Sequence, residues 1–167
     1  MGPPDGEVGD VKVFGADEQQ AAPVDVERWV ALARNVLVAE GVAGDAELSL
    51  LFVDEDTISG LNRRFMDTDG PTDVLAFPID VSADDPAGRD GVKSSAREPL
   101  LLGDVVVCPA VAERQAPEHA GGYDDELALL VVHGVLHVLG HDHAGLEEAA
   151  TMQARERELL QRFHQRR

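Results

Sequence analysis

The sequence predicts an α+β protein, a single-domain α/β sandwich with one small mixed β-sheet flanked by helices. Short runs rich in β-forming residues alternate with longer segments whose apolar residues recur every three or four positions. The alternation opens with a strand followed by a helix. At 167 residues, the chain is long enough for one domain with its own hydrophobic core and too short to argue for two.

The first half of the chain predicts two strands, each followed by a helix. VKVF, 11–14, is a short strand, and the helix that starts at Asp25 is expected to stop at Gly41, because glycine commonly ends helices. ELSLLFV, 47–53, is apolar enough to be a strand buried on both faces. Asp54 can cap the next helix. The apolar positions of that helix recur at Ile58, Leu61 and Phe65.

Two further strands are predicted in the middle of the chain. DVLAFPI, 73–79, contains Pro78, which indicates an edge strand or a strand end. LLLGDVVVC is a core strand ending at Cys108, which has no second cysteine to pair with and is expected to be buried as a small hydrophobe. Residues 80–99 are predicted to be a mobile loop, either a lid or an unstructured insertion. Residues 1–10 are predicted to be a disordered tail.

The rest of the chain predicts three helices. A short helix is expected over about 109–116, with its proline in the first turn. The central helix is expected to have Asp124 as its cap and to end at Gly140. A last amphipathic helix is expected over about 146–163. The domain therefore spans 11–167.

The formal net charge of −18 argues against nucleic-acid binding by the surface as a whole. Nucleic-acid binders usually carry excess lysine and arginine, since neutralisation of phosphates supplies most of the non-specific affinity. Any such function must therefore rest on a local patch or on a bound cation. The chain lacks a run of about 20 apolar residues and its start lacks the features of a signal peptide, so the expected location is the cytoplasm, without membrane contact.

The candidate site is the stretch HGVLHVLGHDH, 133–143. His133 and His137 are four residues apart on a helix, where Cβ atoms lie about 5–6 Å apart on one face. Gly140 can then take a left-handed conformation and turn the chain so that His143 approaches the same point. Three histidines leave the fourth position of a tetrahedral zinc ion open, as in catalytic sites. The sequence thus predicts a metal site at the end of the central helix.

Other interpretations of the histidines remain open. His141 could make a closed, structural site, although it is hard to aim at the same ion from a tight turn. Asp142 is a candidate for orienting one of the imidazoles or a plain turn residue. The cluster could also hold no metal. His119 and His164 lie outside the pattern and are expected to have no special role.

The spacing of the motif is shared with metzincin proteases, which carry a glutamate directly after the first histidine as general base. Gly134 occupies that position here, so the protease base is missing. A glycine inside a helix costs about 1 kcal/mol relative to alanine. Gly134 is therefore expected to mark close approach of another backbone or of the substrate.

The histidine motif resembles the signature of the YbeY family of bacterial ribosomal-RNA maturation endoribonucleases. The stretches LNRRFMDTDGPTDVLAFP, LLGDVVVCPAVAERQA and ELALLVVHG resemble that family in the same order. The resemblance covers roughly residues 46–160. One departure is Met66, where many relatives have an arginine thought to help RNA processing. Arg63 and Arg64 are candidates for contacting phosphate instead, or are solvated side chains of an exposed helix face.

The resemblance implies one zinc ion per chain, held by His133, His137 and His143. It implies cleavage of single-stranded RNA, maturation of the 16S ribosomal RNA 3′ end and ribosome quality control, with the small ribosomal subunit and its assembly factors as partners. Our hypothesis for catalysis is attack by a zinc-bound water, with no protein base assigned. Attack by the ribose 2′-hydroxyl is the alternative. The rival functions are a non-catalytic zinc-containing assembly factor and a metal-dependent hydrolase of another substrate.

Overall fold

The computed structural model describes residues 11–79, 100–140 and 145–164. Within these residues it contains four strands, five α-helices and one 3₁₀ turn. The strands are β1 (Val11–Asp17), β2 (Ala46–Phe52), β3 (Val74–Pro78) and β4 (Leu100–Val107). The helices are α1 (Val26–Ala39), α2 (Glu55–Met66), α3 (Pro109–Gln115), α4 (Tyr123–Val138) and α5 (Leu146–Phe163), with the 3₁₀ turn at Ala116–Glu118.

The four described strands form one mixed sheet in the order β1-β2-β4-β3. β1 pairs with β2 and β2 with β4 in parallel, whereas β3 pairs antiparallel with β4. β3 is thus an edge strand and Pro78 is its last residue, as the sequence predicted. An edge position suits proline because it cannot donate to a second neighbouring strand.

The sheet carries helices on both faces, which confirms the predicted sandwich. One face packs against α1, α4 and α5, and the buried cluster there includes Trp29, Phe52 and Leu136. The other face has a smaller cluster around Ile58 and Val106, covered by α2 and α3. β2 alternates between buried and half-buried residues, so only one of its faces is fully buried. Cys108 is fully buried, as expected, and burial raises the pKa of its thiol.

The central helix α4 is the largest contributor to this packing. It contacts α1, α3, α5, β3 and β4, and ten of its sixteen residues are buried. Such a helix has little freedom to move, because protein cores are close-packed. The side chains of α4 that are not part of the core are therefore held in well-defined positions by a rigid helix.

The helix boundaries agree with the sequence at most ends. Asp25 and Asp54 accept hydrogen bonds from the backbone N–H groups of Arg28 and Thr57, as N-caps do. Gly140 follows α4 with φ +104°, the left-handed conformation expected there.

Two expectations were wrong. Burial of β2 on both faces was expected, and only one face is fully buried. α4 begins at Tyr123 with Gly122 as its cap, and Asp124 lies in the first turn, where its carboxylate binds Arg28 at 2.9 Å. Phe65 continues the apolar periodicity of α2, and it is 56% exposed because α2 ends beside the edge strand.

The predicted tail at 1–10 and the predicted loop at 80–99 lie outside the described residues, so the domain limits stay a prediction. In the part of the chain that is described, no helix combines the length and the apolar character needed to cross a membrane.

Candidate metal centre

Two histidines of the motif stand side by side on α4. The ring centroids of His133 and His137 are 4.6 Å apart, and the ring planes are inclined by 71°. The pair arises from the four-residue spacing, which places both side chains on one helical face. This separation is compatible with ligation of one zinc ion, whose bonds to imidazole nitrogens are about 2.0–2.1 Å long.

A glutamate on another helix holds the first imidazole. Nδ1 of His133 is hydrogen-bonded to a carboxylate oxygen of Glu156 on α5, and the Glu156 side chain is only 9% exposed. Because an ionised carboxylate only accepts hydrogen bonds, Nδ1 donates to Glu156, and in the neutral imidazole Nε2 is then the nitrogen that carries the lone pair for a metal. Carboxylates orient metal-binding histidines in the same manner in known zinc sites.

The two imidazoles line a cavity of about 370 Å³. Its wall includes Met66 at the end of α2 and Asp73, which directly precedes β3. A neighbouring cavity of about 280 Å³ shares Asp73 and His133 and is bounded by α5 through Glu156. The residues of the first cavity wall that belong to the described part of the chain are Met66, Asp73, Val74, Leu75, Ala76, His133, Gly134 and His137.

The remaining residues of the predicted centre are not among those described. His143, His141 and Asp142 all lie in the stretch 141–144, outside the described residues. Among residues 11–79, 100–140 and 145–164, no group of three His, Cys, Asp or Glu side chains makes a complete metal site. The structure therefore describes two of the three predicted ligands, His133 and His137, side by side, and the ligand role of all three stays a prediction.

Gly134, between the two histidines, brings α4 against the sheet. A Cβ atom built there would lie 2.5 Å from Cγ1 of Val105 and 3.4 Å from Cγ2 of Val74. The expected neighbour was another backbone or the substrate, whereas the structure shows valine side chains of β4 and β3. The glycine thus serves helix-to-sheet packing and fixes the height of both imidazoles above the sheet.

We expect Gly134→Ala to lower the free energy of unfolding by about 1 kcal/mol. Adding a methyl to a filled core costs about 1–3 kcal/mol, and the better helix propensity of alanine returns about 1 kcal/mol. The measurement is urea unfolding followed by the fluorescence of Trp29, which is buried. In a Val105→Ala background, where the clashing methyl is removed, the same substitution should become neutral or stabilising.

Gly60 on α2 offers a matched control, because nothing lies within 4 Å of a Cβ built at that position. Gly60→Ala should stabilise the protein by about 1 kcal/mol through helix propensity alone. Equal effects of the two substitutions would show that Gly134 is not a packing glycine.

The predicted phosphate-binding arginines lie in the last turn of α2, which ends at Met66 of the cavity wall. Arg63 is 71% exposed and approaches Asp69 at 3.9 Å, a weak surface contact. The guanidinium of Arg64 lies over the ring of Phe65, 5.3 Å from its centroid. Phe65 also meets Phe77 of β3 edge to face, with centroids 5.5 Å apart. An exposed aromatic and a stacked guanidinium thus adjoin Met66, which lines the cavity.

A polar network that the sequence did not predict lies beside the same cavities. Glu126 on α4 is fully buried and is hydrogen-bonded to His119, and its other partners connect it to Asp73. His119 was expected to have no special role, and what the structure shows for it is this structural contact. The signal in the sequence is the acidic residue in the apolar helical run ELALLVV, since glutamate is almost never fully buried unless it is paired.

His164 was also expected to be without a role, near the end of the chain. Its side chain is 6% exposed, and Nε2 lies 2.8 Å from a carboxylate oxygen of Asp125 on α4. The ring also packs near Trp29. His164 therefore links the end of α5 to α4. This is a structural contact outside the histidine motif.

Comparison with known proteins identifies the family of this chain. The family model described as Endoribonuclease YbeY matches residues 15–164. The chain belongs to the YbeY family. The Endoribonuclease YbeY of Salinispora tropica is 49% identical over 142 residues, which cover 85% of this chain and 90% of that protein. The Endoribonuclease YbeY of Thermobifida fusca is 45% identical over 142 residues, covering 85% of this chain and 88% of the relative.

A solved structure shares the YbeY-family fold of this chain. The solution structure of TM1509 from Thermotoga maritima superposes with a TM-score of 0.53 at 25% sequence identity, covering 92% of this chain and 91% of that one. The family predicted from the histidine motif and its flanking stretches is thus confirmed, and with it the class of enzyme, an endoribonuclease. The fold class predicted from the sequence is confirmed as well.

Proposed function

We propose that this YbeY-family protein is a zinc-dependent endoribonuclease that cleaves single-stranded RNA and acts in ribosomal RNA maturation and ribosome quality control. The observation that carries the proposal is the histidine pair of α4, with His133 hydrogen-bonded to Glu156 and both rings lining one cavity. The resemblance of the sequence to its family supports the ribosomal substrate, including the 16S 3′ end.

The donor set fits zinc. The unprotonated Nε2 of His133 and the ring of His137, with a third imidazole from His143, would give three nitrogen ligands. A bound zinc ion would supply Lewis acidity and lower the pKa of the water that it holds towards ~7. Glu156 and Asp73 also line the neighbouring cavity, and neither of them is a predicted zinc ligand.

Electrostatics explains why an acidic protein would need a cation at this place. The cavities contain the carboxylates of Asp73 and Glu156, and the whole chain carries a net charge of −18. A phosphodiester would be repelled by these charges, and a divalent ion held by the imidazoles would offset them. Arg63 and Arg64 would add positive charge in the last turn of α2.

The exposed ring of Phe65 supports a preference for single strands. Unpaired bases stack on aromatic side chains and on arginine planes, and such stacking is available only when the base is not already in a duplex. Phe65 with the guanidinium of Arg64 provides such a surface in the two residues that directly precede Met66 of the cavity wall. Few other aromatic residues are present, since aromatic residues make up 4% of the chain.

The test is cleavage of a labelled single-stranded RNA by the purified protein, with and without a chelator, beside the same RNA annealed to its complement. We expect cleavage of the single strand, its loss with the chelator and its return on adding Zn²⁺. The duplex should be cut much more slowly. Phe65→Ala should weaken single-strand binding, by about fivefold or more if one base stacks there, while metal content stays unchanged.

Three outcomes would contradict the proposal. Cleavage that survives the chelator would remove the metal from the mechanism. Binding to the small ribosomal subunit without any RNA cleavage would instead favour a non-catalytic assembly factor, and hydrolysis of a different substrate would favour another hydrolase. Val38→Ala, at an exposed apolar residue of α1, is the matched control for Phe65→Ala.

A further inference from the structure

The carboxylate of Glu126 is the centre of a buried hydrogen-bond network that the proposed chemistry does not use. Its side chain is 0% exposed. It is hydrogen-bonded to Nδ1 of His119, at 2.8 Å, and accepts from the backbone N–H of Ala120, at 3.1 Å. Nε2 of Gln115 donates to it at 2.6 Å. A buried carboxylate with this many donors is held firmly, because leaving it unpaired would be costly.

The amide of Gln115 connects this carboxylate to the cavity. The same Nε2 that donates to Glu126 also donates to Oδ2 of Asp73, at 2.7 Å. A side-chain amide nitrogen has two hydrogens, so both are used on carboxylates. Because only the nitrogen of the amide can donate to both carboxylates, these two contacts determine the orientation of the Gln115 side chain. The orientation of the Asp73 side chain is thereby set from inside the protein.

Asp73 presents its carboxylate to the proposed site. It lines both the cavity with His133 and His137 and the neighbouring cavity with His133 and Glu156. Oδ2 is engaged by Gln115, whereas Oδ1 accepts a long hydrogen bond of 3.4 Å from the hydroxyl of Thr72. Since each carboxylate oxygen has two lone pairs, Oδ1 retains capacity for another donor.

A fixed carboxylate is an unexpected group in a cavity for a polyanion. It repels phosphate, so its presence is favourable only if the substrate brings a hydrogen-bond donor to it. Next to each phosphodiester of RNA, the sugar carries one such donor, the 2′-hydroxyl, and DNA lacks it. The 2′-hydroxyl is the group by which proteins distinguish RNA from DNA at a given position.

We propose that Asp73 accepts a hydrogen bond from a ribose 2′-hydroxyl of the bound strand, and that Gln115 and Glu126 are its positioning residues. Asp73 is then a specificity-determining residue, which selects ribose over deoxyribose beside the histidine pair. The proposal rests on the proposed function in one respect, since it takes this cavity as the place where RNA binds.

The test compares the affinity of the purified protein for two single strands of one sequence, RNA and its 2′-fluoro analogue. The fluorine preserves the sugar conformation of RNA and removes the donor. Fluorescence anisotropy gives both affinities, under conditions where a gel shows that the RNA stays intact. We expect RNA to bind at least about tenfold more tightly, the size of one hydrogen bond to a charged acceptor.

Variants then locate the effect. Asp73→Ala should bring the ratio of the two affinities close to one, and Gln115→Ala should lower it partially, because Asp73 remains but is no longer oriented. Asp56→Ala is the matched control, since Asp56 is an exposed carboxylate in the first turn of α2, at the end of that helix away from the cavity. It should leave the ratio unchanged. Thermal unfolding checks that each variant is folded.

Two results would overturn the proposal. One is equal affinity of the wild-type protein for the two strands, and the other is an unchanged ratio in a folded Asp73→Ala variant. If chelator-sensitive RNA cleavage persists alongside either result, the role of Asp73 fails and the proposed function stands. Absence of both RNA binding and RNA cleavage would overturn the two together.

Discussion

Replacing His137 by alanine should lower the rate of RNA cleavage by more than about 100-fold and remove most of the bound zinc. The substitution takes away one of three proposed nitrogen ligands, and removing even a partner that only orients a ligand costs about 10–100-fold in affinity or activity. The ring is adjacent to His133, at 4.6 Å between centroids, so neither histidine would be expected to hold the ion alone. Metal analysis of the purified variant and initial rates on a labelled single strand measure the two effects.

Asp124→Ala is the control on the same helix. Asp124 lies in the first turn of α4, where its carboxylate binds Arg28 on the surface, and it does not line either cavity. Zinc content and cleavage should match those of the wild type. Full zinc occupancy in a folded His137→Ala protein would remove His137 from the ligand set, and full activity in that variant would place the chemistry elsewhere.

Replacing Glu156 by alanine should weaken zinc binding by about 10–100-fold, the usual cost of losing the partner of a metal-bound histidine. Glu156 fixes the ring of His133 and its tautomer from a different helix. Glu156→Gln should lose less, because its amide oxygen can still accept from Nδ1. Competition against a zinc-sensitive dye measures the affinities, and Glu147→Ala, at an exposed residue of α5, serves as the control.

The comparison of the two Glu156 variants separates orientation from charge. If only the hydrogen bond matters, Glu156→Gln should stay close to the wild type. If the negative charge matters as well, both variants should lose affinity. A zinc affinity that is unchanged in folded Glu156→Ala would show that this carboxylate does not support the metal centre.

The elements with strong local patterns could be predicted from the sequence, and so could the histidine pair. The period of the apolar residues gave α1, α4 and α5, and acidic caps marked the starts of α1 and α2. His133 and His137 lie on one face of α4 because residues four apart are about one helical turn apart. These features depend on neighbours within a few residues, which a single sequence displays directly.

The partners across the fold could not be predicted in the same way. Glu156 lies 23 residues beyond His133, and its only local signal is a charged residue on the apolar stripe that contains Met152 and Leu159. Asp73 and Glu126 meet through Gln115 because β3, α3 and α4 pack together, and that packing is visible only in three dimensions. Local patterns therefore identified the proposed ligands but not the side chains that orient them.

The missing side chain at position 134 limits how this protein can be altered. With Val105 against the helix backbone, α4 cannot be tilted or raised to adjust the metal centre without disturbing β4. Adjustments are more accessible on α5, whose outer face is exposed and which orients His133 through Glu156. Variation of metal affinity among relatives, or by engineering, should accordingly concentrate on the helix that orients the imidazole and leave the helix that carries it unchanged.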